Sequence, residues 1–214
     1  HAKAKWKIVA DFSIENTIEG PVIGLDEVGR GPLAGPVVSC GVVYNSYETL
    51  ESKVPITDSK KLTVKQRLNL FKYFQKLKKE NILKYYLGLA TVEEIDHLNI
   101  LEATKLSMKR VIDKFNNSTL SIIIDGNFKL NYNNINEKSI IGGDKISISI
   151  ATASIIAKVH RDRLMAILDS KYQDFGWKQN AGYGTKKHID AIKKSGPTNF
   201  HRKSFEPIKS LIRN

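Results

Sequence analysis

The stretch Val22–Pro36 constrains the fold of this chain more than any other part of it. An apolar run short enough for one buried strand ends in two adjacent carboxylates, Asp26 and Glu27, and a Gly-Arg-Gly turn at residues 29–31 follows at once. A second apolar run, Val37–Val43, comes after the turn. Runs of this length are typical of buried strands, and glycine and proline mark connections between strands. The pattern predicts two strands joined by a charged loop.

The position of the two acids leaves two interpretations open. Neighbouring side chains of a strand point to opposite faces, so Asp26 and Glu27 can serve one site only if the strand ends there. The glycines of the following turn would permit the unusual backbone path that such an ending needs. The acids therefore belong either to one site at a strand end or to a charged turn that closes a hairpin.

Helix and strand patterns alternate through the next part of the chain. Thr63 is a suitable N-cap for a helix that runs to about Glu80, because apolar residues recur there at helical spacing. Lys84–Ala90 is rich in strand formers, and a helical region with a leucine and valine stripe continues through Phe115. This alternation predicts an α/β protein.

The second half repeats the pairing of a strand end with an acid. The apolar run Leu120–Ile124 ends at Asp125, and Gly142-Gly143-Asp144 leads into a long helix that begins near Ser147 or Ser149. In open α/β sheets such strand ends gather at one edge, where functional sites form. Asp125 and Asp144 are therefore predicted to lie near the acids of the first strand.

The tail from Gln179 changes character. It contains a Gly-Tyr-Gly-Thr turn at 182–185, a lysine-rich helix and a Ser-Gly-Pro break at 195–197. The length of 214 residues suits one domain. We therefore expect a single domain over residues 1–214, with a helical C-terminal extension at about 179–214.

The charge balance indicates a polyanionic partner. The chain has 34 basic and 22 acidic residues and a formal net charge of +12. No basic amphipathic helix with a bulky aromatic face and no bilayer-length apolar stretch is visible, which favours nucleic acid over a membrane. The lone Cys40 excludes an intrachain disulfide framework and fits a reducing compartment. The sequence therefore predicts a cytoplasmic nucleic-acid-binding protein.

The four acids at predicted element ends indicate a metal site. Converging carboxylates repel one another by several kcal/mol at ~4 Å when they are desolvated. Hard divalent cations with oxygen ligands remove that repulsion, and Mg²⁺ or Mn²⁺ suits the task. A basic protein with such a cluster is suited to phosphodiester hydrolysis. Each acid taken alone could equally be a helix cap or a surface charge.

Residues 26–38 resemble the opening signature of the ribonuclease HII family. Further motifs that are similar to those of the family follow in the same order at residues 58–62, 125–126, 143–144, 151–162, 182–185 and 201–205. The resemblance covers Val22–Phe205, and six ordered motifs are more specific than any one of them.

This resemblance implies a ribonuclease H-like fold, in which helices flank a central mixed sheet, with an added helical C-terminal part. It implies a monomeric, metal-dependent endonuclease that cleaves the RNA strand of RNA–DNA hybrids. It further implies cleavage on the 5′ side of single ribonucleotides embedded in duplex DNA, leaving 3′-hydroxyl and 5′-phosphate ends. Such an activity serves ribonucleotide removal in replication and repair.

The resemblance also implies roles for individual residues. Asp26, Glu27, Asp125 and Asp144 match the catalytic, metal-binding acids, which hold two ions when substrate is bound. Gly29-Arg30-Gly31 matches the segment that senses the ribose 2′-hydroxyl, the group that distinguishes RNA from DNA. Tyr183 matches the tyrosine that packs against the neighbouring deoxyribose at an RNA–DNA junction, although a core tyrosine would give the same letter.

Other polar residues are weaker candidates for substrate binding. Ser59 and Lys60 follow an acid, Asp58, and either contact a phosphate or form a capping loop at a helix start. The candidate phosphate contacts, which could instead be solvated helix faces, are Lys158, Arg161, Lys186, Lys187, Arg202 and Lys203. We expect His188 and His201 to support the fold or the backbone-contact surface.

Two alternatives compete with this assignment. A ribonuclease HIII-like hybrid nuclease shares the fold but usually carries an extra N-terminal domain and a glutamate as its fourth acid. A non-catalytic basic module could bind nucleic acid through its charge alone. A pure binder gains nothing from four carboxylates that face phosphates, so the acid set favours an enzyme.

Overall fold

The computed structural model describes residues 9–48, 50, 52, 55–116 and 120–212, so both ends of the predicted 1–214 domain lie outside the described residues. The described chain forms five strands, β1 Val22–Val28, β2 Val37–Tyr44, β3 Leu83–Ala90, β4 Ser121–Asp125 and β5 Glu137–Ile140. It also forms the α-helices α1 Val64–Lys79, α2 Val92–Leu98, α3 Ile100–Ile112, α4 Ile148–Lys171, α5 Trp177–Asn180, α6 Lys186–Ser195 and α7 Ile208–Leu211.

The five strands make one mixed sheet in the order β3-β2-β1-β4-β5. β1 and β4 are parallel, with Leu25 opposite Ile124, and β4 and β5 are parallel, with Asp125 opposite Ile140. Parallel neighbours end at the same edge of a sheet, so this register brings the residues that follow Leu25 and Ile124 together. The α/β class and the mixed sheet flanked by helices are confirmed.

The described residues group into two compact units. The first contains the chain up to residue 26 with segments 41–86 and 116–156, and the second contains segments 27–40 and 87–115 and the chain from residue 157 onward. Val22, Ile123 and Ile150 pack together in the first unit. A larger cluster around Trp177 and Met165 fills the second. No helix in the described ranges is long and apolar enough to cross a membrane.

Helix α1 begins where the sequence predicts. The Thr63 hydroxyl accepts a hydrogen bond from the Gln66 N–H at 3.2 Å, and the Gln66 side chain accepts one from the Thr63 N–H at 2.8 Å. This reciprocal capping box satisfies two N–H groups that the helix itself leaves without partners. The Thr63 N-cap and the end of the helix before Glu80 are confirmed.

The helical region before Phe115 is interrupted at Asn99, which the apolar stripe did not indicate. Asn99 has φ +75° and ends α2, and its side-chain oxygen accepts from the N–H groups of Leu101 at 2.9 Å and Glu102 at 3.1 Å. Asparagine tolerates positive φ and is a strong N-cap, so one residue both stops α2 and starts α3.

Candidate active site

Three aspartates converge in the first unit. Asp26, Asp125 and Asp144 each offer a carboxylate oxygen, and these oxygens all lie within 4.8 Å of one another. Asp26 lies in β1, Asp125 is the last residue of β4, and Asp144 lies in the 3₁₀ turn Gly143–Lys145 that precedes α4. The parallel register of β1 and β4 therefore places the first two acids side by side, and the turn brings the third.

A glycine lets the turn approach the strand end closely. The Gly143 N–H donates to Oδ1 of Asp125 at 2.7 Å. A Cβ atom at residue 143 would lie 2.6 Å from Cδ1 of Ile150 and could not be accommodated without movement. The hydrogen bond orients the Asp125 carboxylate, and the missing side chain allows the contact.

The cluster concentrates negative charge in a partly desolvated place. Burial, together with the nearby carboxylates of Asp125 and Asp58, raises the pKa of Asp144 to about 6. Burial also raises the pKa of Asp125, against the hydrogen bonds from the backbone of Gly143 and Asp144 and the charge of Lys60. A divalent cation would relieve this repulsion, and an all-carboxylate donor set fits Mg²⁺ or Mn²⁺.

Glu27, the fourth predicted acid, follows Asp26 directly in β1. The strand continues to Val28, and neighbouring side chains of a regular strand alternate between its faces. Oε1 of Glu27 lies 3.5 Å from Nη1 of Arg30. Glu27 is not among the described carboxylates whose oxygens meet within 4.8 Å. Its role as the fourth metal-binding acid stays a prediction from the resemblance.

The Asp58-Ser59-Lys60 loop is built as a cap. Oδ1 of Asp58 accepts from the Lys60 N–H at 2.9 Å, and the buried Ser59 hydroxyl lies 3.0 Å from the Ser154 hydroxyl. These hydrogen bonds give a structural reason for the aspartate at residue 58 and the serine at residue 59. The loop also interacts electrostatically with the acids. Asp58 adds to the effect of burial and Asp125 in raising the pKa of Asp144, and the charge of the exposed Lys60 opposes the rise in the pKa of Asp125. The substrate contacts predicted for Ser59 and Lys60 stay predictions.

The predicted ribose-sensing segment lies in the second unit, in a loop of residues 29–36 that we call the glycine loop. Gly29 is buried and has φ +95°, whereas Arg30 and Gly31 are exposed. The Leu33 N–H donates to the Gly182 carbonyl at 2.8 Å, which joins the glycine loop to residues 181–185, the tyrosine turn.

Tyr183 lies at the exposed side of the tyrosine turn. Tyr183 is 45% exposed, which disfavours the alternative of a core tyrosine. A Cβ atom at Gly31 would lie 3.4 Å from Cε1 of Tyr183, an ordinary contact distance. Gly31 and Tyr183 are therefore exposed neighbours, and the sugar contacts predicted for them stay predictions.

The structure contradicts the phosphate contacts predicted for Arg161 and Arg202. Both side chains are fully buried, and their guanidinium groups donate to main-chain carbonyls of the second unit. In the sequence, Arg161 on a helix and Arg202 in the basic tail motif look like solvated residues, because the sequence does not show the carbonyl groups that the fold places around them.

Lys186 and Lys187 are exposed at the start of α6, so their phosphate contacts stay predictions. Lys158 pairs with Asp162 at 2.7 Å and also stays a candidate.

His188 and His201 support the tyrosine turn. Nε2 of His188 accepts from Trp177 Nε1 at 3.0 Å and lies 3.0 Å from Nε2 of His201, so His201 donates between the rings. Nδ1 of His188 is then the protonated nitrogen, and it donates to the Tyr183 carbonyl at 2.8 Å. Burial lowers the pKa of both, that of His201 to about 4, so both rings are neutral at pH 7. Their expected supporting role is confirmed.

We expect Asp144→Asn to stabilise the metal-free protein at neutral pH. The raised pKa of Asp144 means that ionisation destabilises the folded state, so stability is lost as pH rises from 3.8 through about 6. Asparagine removes this charge, and the free energy of unfolding at pH 7 should rise by roughly 1 kcal/mol. Thermal unfolding in EDTA at pH 4 and pH 7 measures the effect. An equal change at both pH values would contradict this origin.

Comparison with known proteins agrees with the geometry. The family model described as Ribonuclease HII matches residues 23–208. A ribonuclease HII of Wolbachia pipientis strain wPip is 49% identical over 201 residues, which cover 94% of this chain and 98% of the relative. The crystal structure of the ribonuclease H2 from Pyrococcus horikoshii OT3 matches with a TM-score of 0.68 and 27% identity, over 91% of this chain and 98% of that one. Bst-RNase HIII in complex with Mn²⁺ shares the fold, with a TM-score of 0.61 and 16% identity over 90% of this chain and 69% of that one.

Proposed function

Because this chain belongs to the ribonuclease HII family of RNA–DNA hybrid endoribonucleases, we propose that it also cuts duplex DNA on the 5′ side of a single embedded ribonucleotide. The observation that carries the chemistry is the meeting of Asp26, Asp125 and Asp144 oxygens within 4.8 Å. The products would carry 3′-hydroxyl and 5′-phosphate ends, as the resemblance implies.

The three aspartates, with Glu27 as the assigned fourth acid, would hold Mg²⁺ or Mn²⁺, two ions when substrate is bound. Such ions would activate water and stabilise the leaving oxygen of the phosphodiester. The Bst-RNase HIII structure was solved with Mn²⁺, which supports a divalent ion without choosing between the two metals. In this chain the Gly143 N–H fixes the Asp125 carboxylate, so its orientation is set before an ion binds.

The second unit would select the cleavage position. The main chain at Gly29–Gly31 would contact the ribose 2′-hydroxyl, and Tyr183 would pack against the deoxyribose that follows. Lysines would bind phosphates without reading sequence, and the candidates are the exposed Lys60, Lys186 and Lys187 and the half-buried Lys158.

The direct test uses three matched substrates: a duplex with one ribonucleotide, a continuous RNA–DNA hybrid and an all-DNA duplex. Each is incubated with Mg²⁺, with Mn²⁺ or with EDTA. We expect cleavage of the first two in metal, with the single-ribonucleotide duplex cut on its 5′ side. Cleavage of the continuous hybrid alone would favour the ribonuclease HIII-like alternative, and retention of all three substrates uncut would favour a binding module.

Tyr183→Ala should damage junction cleavage selectively. A continuous RNA strand offers no deoxyribose after the cleaved ribose, so only the single-ribonucleotide duplex loses a contact. We expect kcat/KM to fall by about tenfold more on that duplex than on the hybrid. Tyr183→Phe, which keeps the ring, serves as the control. Equal losses on both substrates would return Tyr183 to a packing role.

A further inference from the structure

Two arginines of the second unit are buried, and neither forms a salt bridge in the part of the chain that the structure describes. Arg161 on α4 and Arg202 in the C-terminal segment are both 0% exposed. Among the described residues, neither guanidinium lies within salt-bridge distance of a carboxylate, and burial lowers the pKa of Arg161 to about 10 and that of Arg202 to about 9. A buried cation is costly unless its donors are satisfied, so their hydrogen-bond partners indicate what the two groups do.

The guanidinium of Arg202 lies 5.0 Å from the centre of the Phe205 ring, and its hydrogen bonds within the described residues all go to carbonyls of the glycine loop. Its Nε and Nη2 donate to the Gly35 carbonyl at 3.0 and 2.8 Å, Nη1 donates to that of Arg30 at 2.8 Å, and Nη2 also donates to that of Gly29. One guanidinium thus binds both ends of the glycine loop, and two of its acceptors belong to the turn that was predicted to sense ribose.

These contacts also orient the N–H groups of the turn. In a trans peptide the C=O and N–H point in opposite directions, and the peptide bonds after Gly29 and Arg30 are not among the cis bonds of the described chain. Since Arg202 binds the Gly29 and Arg30 carbonyls, the N–H groups of Arg30 and Gly31 must point away from it. Arg202 therefore fixes the directions of two peptide groups in the segment that was predicted to sense ribose.

Arg161 connects the glycine loop to the tyrosine turn. Its Nε donates to the Pro36 carbonyl at 2.9 Å and Nη2 to that of Ala34 at 3.0 Å, while Nη1 donates to that of Ala181 at 2.8 Å. The first two acceptors belong to the glycine loop, and the third lies two residues before Tyr183. Because a guanidinium is planar and rigid, its three donors fix the spacing between the two segments.

We infer that Arg202 and Arg161 are positioning residues for substrate selection: Arg202 orients the peptide groups that read the ribose, and Arg161 sets the distance from that reader to Tyr183. This inference rests on the proposed function and adds a division of labour to it. Arg202 serves every substrate with a ribose at the cleavage position. Arg161 serves chiefly the junction, where the next sugar is tested as well.

The division of labour is testable with Arg161→Lys and Arg202→Lys. Lysine keeps the charge but cannot reach three carbonyls in fixed directions. Arg161→Lys should lower the ratio of kcat/KM on the single-ribonucleotide duplex to kcat/KM on the continuous hybrid by about tenfold. Arg202→Lys should lower kcat by about tenfold on both substrates and leave KM within about twofold, because phosphate contacts supply most of the binding.

The control must separate positioning from a loss of folding. Ile192→Ala removes a buried side chain from the core cluster of the same unit without touching the carbonyls, so it should lower stability and leave the substrate ratio unchanged below its melting temperature. If Arg161→Lys does not fold, Arg161→Met, which buries no charge, gives the same readout.

The possible results test the role of Arg161, the role of Arg202 and the proposed junction activity separately. A folded Arg161 variant with the wild-type substrate ratio overturns the role of Arg161, and an Arg202→Lys kcat equal to that of the Ile192→Ala control overturns the role of Arg202. If the wild-type protein cleaves only the continuous hybrid, the proposed junction activity fails instead, and the Arg202 comparison still stands on the hybrid.

Discussion

Asp125→Asn is expected to lower kcat/KM on an RNA–DNA hybrid by about a thousandfold or more. The substitution keeps the size and hydrogen-bonding shape of the side chain but removes one of the three charges that meet within 4.8 Å. Asparagine oxygen is a weaker ligand for a hard cation than a carboxylate, so the ions would be lost or misplaced. Asp26→Asn should give the same result, because Asp26 is the neighbouring donor on the adjacent strand.

Two measurements and a control variant make this result specific. Affinity for the hybrid in EDTA should stay close to wild type, because it comes mainly from basic residues. Mn²⁺ binding, measured by calorimetry, should weaken. Asp174→Asn makes the same chemical change at an exposed aspartate and should alter neither property. Wild-type turnover by Asp125→Asn would rule out the aspartate cluster as the catalytic centre.

Gly29→Ala is expected to produce the next largest loss, in both stability and activity. The backbone at Gly29 has φ +95°, where an L side chain is strained, and the added Cβ would lie 2.1 Å from Nε of Arg161. Arg161 would have to leave its carbonyls or the loop would have to move. We expect the free energy of unfolding to fall by roughly 3 kcal/mol. Because the ribose reader would be displaced, kcat/KM should fall by about a hundredfold on both substrates.

Gly31→Ala is the matched control, on the other side of Arg30. Its Cβ would meet only Cε1 of Tyr183, at 3.4 Å, and Gly31 has no positive φ. The same methyl group should therefore leave the midpoint of urea unfolding nearly unchanged at residue 31 and lower it clearly at residue 29. Equal midpoints for the two variants would show that the close approach of Arg161 to Gly29 is not rigid.

The convergence of the aspartates could be predicted from the sequence, because each acid follows an apolar strand or precedes a helix. Asp125 ends β4 as the pattern indicates, and parallel pairing with β1 brings it to Asp26. The start of α1 at Thr63 was equally accessible, since capping depends on residues only three positions apart. Local sequence patterns were therefore enough to predict the convergence of the aspartates and the start of α1.

Features that depend on distant partners could not be read from local pattern. Arg161 and Arg202 look solvated in the sequence, and only the fold shows the carbonyls that surround them. The apolar periodicity continues on both sides of Asn99. The positive φ of this one residue ends α2, and the periodicity alone does not show that break. For Glu27, the sequence left open whether it shares a site with Asp26 or belongs to a charged turn. β1 continues to Val28, and the metal-binding role of Glu27 stays a prediction from the resemblance.

The pairing of β1 with β4 also determines how much of the chain must be synthesised before the aspartate cluster can form. Leu25 and Ile124 are neighbours in the sheet but lie about one hundred residues apart in the chain, so their contact forms only after a long segment has been translated. Asp144 and the first turns of α4 must emerge from the ribosome later still. A nascent chain that has exposed only β1 and β2 therefore has an acid pair but no assembled cluster. We expect hydrolytic competence to arise abruptly and late in translation, once Asp144 can join the two acids of the paired strands.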